Sequence, residues 1–197
     1  MNPISTAKDF DLIDVSIDRV IDRSRTLPDR VFRNTLKYFL FITFDELRMT
    51  LFFNHVKQYL IRTGERKFWL TTIDPDPRSY FFNHFGFYGA FEFLSSDDED
   101  DYVSALHDYP KSSPADALMH NANSMIALSS SDGWGVFGSR EVDIAICGFS
   151  DRVQMEIFRS VYGSDLLNSV NAAAEYAYGV SGDALQIERF RKNYSSN

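Results

Sequence analysis

The chain reads as an α+β fold, with a mixed, mainly antiparallel sheet of about five strands and N-terminal and C-terminal helices packed on it. Three observations point there. Apolar residues recur at helical spacing near both ends, whereas the stretch from Lys67 to Gly148 alternates at period two between turn-forming residues. Helices, then strands, then helices is the order of an α+β chain and not of a regularly alternating parallel sheet. Finally, 18 phenylalanines in 197 residues supply core volume, each ring contributing about 1.5–3 kcal/mol when buried. One domain over 1–197 is expected, with a helical part at 1–64, a strand-rich part at 65–149 and a helical part at 150–197.

Phe10, Ile13, Ile17, Val20 and Ile21 oppose Asp11, Asp14, Asp18 and Asp22, which predicts an amphipathic helix over 7–25. Pro28 in "TLPDR" suits the first turn of a second helix. Thr43-x-x-Glu46 is a capping box, and Gly64 is a stop about twenty residues later. Leu47, Leu51, Phe52, Phe53, Val56 and Leu60 wrap most of that helix, so it should be largely buried. The strands expected next are "KFWLTTI", "FGFYGAFEF" with Phe85, Phe87, Phe91 and Phe93 on one face, "SMIALSSS", "GWGVFG" and "EVDIAICG". Ser96-x-x-Glu99 and Ser113-Pro114-Ala-Asp116 read as two further helix starts, the second for 114–121. Ser150 reads as the cap of a helix after the last strand, and Gly163 and Gly179 as breaks in the closing helical region. Phe-Phe-Asn-His at 52–55 and 81–84 has dissimilar flanks and is read as coincidence.

Charge narrows the function. Residues 1–70 carry a net +3, 71–150 a net −10 and 151–197 a net −1. The acidic middle repels a phosphate backbone and steers a basic protein toward it, so nucleic acid is not an expected partner. A single cysteine, Cys147, forms no internal disulfide, and "MNPISTAKDFDLID" has acids where a signal peptide needs a basic and then an apolar run. The run "YFLFITF" is far short of a span. A soluble cytoplasmic protein is expected, with no membrane partner and no cofactor.

Gly133-x-Gly135-x-x-Gly138 has the spacing of a dinucleotide fingerprint, yet "REVDIAIC" continues as a strand where helix amides would have to face a pyrophosphate. Gly138-Ser139 is instead expected at the centre of a two-residue hairpin turn, with Gly138 at positive φ. "SSDDEDDY" lacks the glycine and final glutamate of a calcium loop. His55, His84, His107 and His120 show no helical zinc pair, and "GFSDR" lacks the last glycine of a nucleophile elbow. Cys147 has no basic neighbour to activate it.

A two-residue hairpin loop puts Gly135, Phe137, Val142, Ile144 and Ile146 on a core face and Trp134, Val136, Glu141 and Asp143 on the other. An indole beside two carboxylates has the composition of an interface anchor. The resulting expectation is a non-enzymatic acidic protein that binds a basic protein partner through Trp134, Val136, Glu141 and Asp143. Size, acidity and missing catalytic motifs suit a bacterial toxin-neutralising immunity protein, an inhibitor. The alternative is a small metal-dependent hydrolase or nuclease in which Asp132, Glu141 and Asp143 hold a divalent ion.

Overall fold

A computed structural model describes residues 1–109 and 113–195. Within them seven strands form one sheet: β1 (Asn2–Pro3), β2 (Tyr38–Thr43), β3 (Lys67–Asp74), β4 (Ala90–Leu94), β5 (Ser124–Ser129), β6 (Trp134–Ser139) and β7 (Ile144–Phe149). Their spatial order is β1-β4-β3-β5-β6-β7-β2, and every neighbouring pair is antiparallel. The helices are α1 (Ala7–Val20), α2 (Thr50–Thr63), α3 (Asn83–Phe85), α4 (Glu99–His107), α5 (Leu118–Asn121), α6 (Arg152–Tyr162), α7 (Val170–Tyr178) and α8 (Ala184–Tyr194). The fold is therefore α+β, with seven strands where about five are expected.

Both faces of the sheet are covered. Trp134 and Val136 of β6 and Ala145, Cys147 and Phe149 of β7 join a core with residues of α2, α4 and α6. Phe137, Ile144 and Ile146 join the opposite core with residues of α1, α7 and α8. Double coverage explains why β2 escapes a period-two reading: "YFLFIT" is apolar at consecutive positions because both of its faces are buried. β1 is two residues long and carries no pattern to detect.

Several element boundaries move. α1 starts after its Thr6 cap but ends at Val20 instead of 25. Residues 21–37, where Pro28 suggests a second helix, hold no α-helix, because their backbone groups bond elsewhere: Asp22 N donates to Val31 O at 2.7 Å and Val31 N to the Tyr194 hydroxyl at 2.9 Å. The Thr43/Glu46 box does form, Thr43 N donating to Glu46 Oε2 at 2.8 Å and Glu46 N to Thr43 Oγ1 at 3.3 Å. It closes a short 3-10 turn, Asp45–Arg48; extended Met49 then separates that turn from α2, which Gly64 ends at φ 76°. Leu51 points outward, while Phe52, Phe53, Val56 and Leu60 are buried as expected.

β4 begins only at Ala90, so Phe85 and Phe87 are not strand residues. Before it, the Asp76 carboxylate accepts from Arg78 N and Ser79 N and starts a π-helical segment, Pro77–Phe82, which coils the chain into a knot of rings. α4 is capped by Asp98, paired reciprocally with Asp101, and not by Ser96. The Ser113 side chain makes no cap bond, and Ala117 splits the expected helix into a 3-10 turn and α5. Asp151, one residue after Ser150, caps α6, whereas Gly163 and Gly179 follow α6 and α7 as expected. No helix among the described residues is long and apolar enough to cross a membrane.

Candidate functional site

The connection from β6 to β7 is a four-residue turn, because Ser139 pairs with Ile144. Its positive-φ residue is Asp143, at 49°, and Gly138 is not among the residues of positive φ, which corrects the two-residue turn. Gly138 is needed for packing: a Cβ there would lie 2.3 Å from Leu47 Cδ1 and 2.8 Å from Phe44 Cδ2. A Cβ at Gly135 would lie 2.8 Å from Leu128 Cδ2. Gly135 and Gly138 thus serve close approach of packed side chains to β6.

Arg140 fixes the turn by donating to His120 O at 2.7 Å and Met119 O at 3.2 Å, its guanidinium resting over Phe44. Glu141 projects into solvent. The Asp143 carboxylate accepts the Tyr176 hydroxyl at 2.6 Å. That hydrogen bond, helped by partial burial and by the charges of Asp143, Asp45 and Glu46, pushes the phenol up to about 12. Glu46 lies nearby, its carboxyl raised first by burial, against its bonds to Thr43, and then by the charges of Asp165 and Asp143. Asp45, Glu46 and Asp143 therefore form a rim of like charge beside Tyr176, a ring 44% exposed, and Asp165 extends it on the Glu46 side. Within it Arg48 pairs with Asp45.

Of the four expected contact residues, only Glu141 and Asp143 reach this surface. Trp134 and Val136 have no exposed area. The indole stands edge-on to Tyr59, centroids 5.6 Å apart, beneath α2 and α6, so those two residues form core and not an accessible interface. The alternation within β6 reads correctly; what fails is the pairing set by a two-residue loop, since Glu141 and Asp143 lie in the turn, and the assumption that one hairpin face lies open.

The alternative metal triad does not assemble. Asp132 lies in the β5–β6 turn, at φ 58°, where its Oδ2 accepts from Arg19 at 3.2 Å. Glu141 and Asp143 sit past the far end of β6, about 17 Å away at ordinary strand rise. Among the described residues no group of three or more His, Cys, Asp or Glu side chains could hold a metal ion. Cys147 is fully buried, and burial pushes its thiol up, away from nucleophilic character.

Beside the rim, Glu141 also borders a groove of about 340 Å³ walled by Arg23, Arg25 and Asp74 over Leu27, Ile73 and Phe137. Neither feature has a local signature, since the rim gathers four separate chain segments and the groove four as well. Comparison with known protein families, with characterised proteins and with solved structures finds no match to this chain.

Proposed function

We propose that the protein is a non-enzymatic, cytoplasmic binding protein that holds a basic protein partner against the carboxylate rim around Tyr176, as a toxin-neutralising immunity protein would. One arrangement carries the reading: Asp143 and Asp165 act on Glu46, and Asp45, Glu46 and Asp143 act on the exposed ring of Tyr176. Burial first, and then the charges of Asp165 and Asp143, raise the Glu46 carboxyl, and the like-charge part of that penalty is one that an incoming guanidinium or ammonium group relieves. They also steer a cationic surface before contact, while the tyrosine supplies amphipathic contact area that the sequence-based reading gave to Trp134. Tyr176 takes the anchor role, Asp143 orients it, and Glu141 extends the charge toward the groove.

The test is affinity capture from the native host with the parent and with Tyr176→Ala, Glu141→Lys and Asp165→Lys, each checked for an unchanged unfolding midpoint. A basic protein should be recovered with the parent at low salt and released as salt rises, and the three variants should lose it. Equal recovery by all four proteins sinks the proposal.

A further inference from the structure

His107 closes α4 and His120 lies in α5, thirteen residues apart with no spacing that marks a site, yet the fold sets their ring centroids 5.8 Å apart at 70°. Both side chains are exposed. Neither imidazole nitrogen hydrogen-bonds to another described residue, so both rings keep a lone pair available. We propose that His107 and His120 together bind one divalent transition-metal ion of the borderline class that imidazole favours, with Zn²⁺ as its simplest member.

Geometry and support both fit. Zinc–nitrogen bonds of 2.0–2.1 Å place the ion about 3 Å from each ring centre, so a tetrahedral ion holds two centroids roughly 5 Å apart. Rotation of two exposed rings closes the remaining gap to 5.8 Å. The backbones carrying them are held in place. The carbonyl of His120 accepts from Arg140 at 2.7 Å, and that of Met119 from Arg48 at 3.1 Å, so both nearby guanidinium groups are engaged by α5 backbone oxygens. On α4, the Tyr102 hydroxyl donates to Leu47 O and the Asp98/Asp101 box fixes the first turn. Asp108, exposed and next to His107, adds negative charge beside the pair. Two protein ligands leave the other positions to water or to a group from outside, which is why the pair falls short of a three-ligand cluster. Imidazole chemistry selects zinc, nickel or copper over magnesium and calcium, which prefer oxygen donors. This site is distinct from the carboxylate rim and does not depend on it.

The experiment is calorimetric titration of the tag-free chain with Zn²⁺, followed by chelation with EDTA. The parent should take up one equivalent, reversibly, in the presence of excess Mg²⁺. His107→Gln and His120→Gln should each weaken binding at least about tenfold, and His84→Gln, an exposed histidine elsewhere, should not. In EDTA both pair variants should unfold with the parent. If the parent binds no zinc up to about 100 µM, or if both pair variants bind it as the parent does, the site does not exist.

Discussion

The indole nitrogen of Trp134 donates to Glu65 Oε2 at 3.3 Å, tying the first residue of β6 to the turn that follows α2. The ring is enclosed by Tyr59 and Phe68 and has no exposed area. Trp134→Ala removes the largest side chain of this core and leaves a cavity that close-packed rings cannot refill, so it should cost about 3–5 kcal/mol. Urea midpoints decide it: a variant within experimental error of the parent means that the indole is not a core residue.

Gly138 and Leu47 occupy one space, and that overlap is testable as a coupling. Gly138→Ala directs a methyl at Leu47 Cδ1 and should destabilise by about 1–3 kcal/mol through overpacking. Leu47→Ala alone opens a cavity, at a cost of about 2–5 kcal/mol. In the double variant the new methyl fills part of that cavity, so the two losses should sum to more than the double loss. Strict additivity in the double-mutant cycle contradicts the contact.

At α4 the cap is Asp98, whose carboxylate accepts from Asp101 N at 3.0 Å. Asp98→Ala should lose about 1 kcal/mol. Ser96→Ala, two residues before the cap, should stay within about 0.5 kcal/mol of the parent. The reverse ranking of the two melting temperatures restores Ser96 as the cap.

What was legible in the chain follows from how locally each feature is encoded. The α1 periodicity, the β5, β6 and β7 strands and the stops at Gly64, Gly163 and Gly179 each lie within a few residues, and local pattern finds them. The Thr43/Glu46 box shows the limit: its reciprocal bonds form, yet tertiary packing decides that a strand precedes it and that only a single 3-10 turn follows. β2 is hidden because burial on both faces removes alternation. The burial of Trp134 is hidden for the same reason, since a hairpin pattern cannot report a helix layer contributed by residues 50–63 and 152–162. The rim and the histidine pair depend on sequence-distant segments that only the sheet order β1-β4-β3-β5-β6-β7-β2 and its helix layers bring together.

Two carboxylates should respond to acid in opposite directions. Burial tends to raise Asp14, but hydrogen bonds and charge from Arg23 and Arg78 outweigh it and hold the carboxyl below its ordinary value. A folded-state value below the unfolded one contributes stability at higher pH that is lost as pH falls through the folded value. Asp14→Asn should therefore destabilise by about 1–3 kcal/mol at neutral pH, with the gap closing toward about pH 3. Glu46 is the opposite case, raised by burial despite its two bonds from Thr43. A raised value favours folding only below the unfolded value of the carboxyl, and that contribution is lost as pH rises through the folded value. Glu46→Gln keeps an acceptor for Thr43 and removes the charge, so it should match or exceed the parent's stability at neutral pH and lose that advantage on acidification. Denaturant midpoints of both variants against the parent, taken from neutral pH down to about pH 3, give the two differences directly. Parallel pH dependence in the two variants overturns the assignment of charge at one of these sites, and the variant that tracks the parent at every pH identifies which.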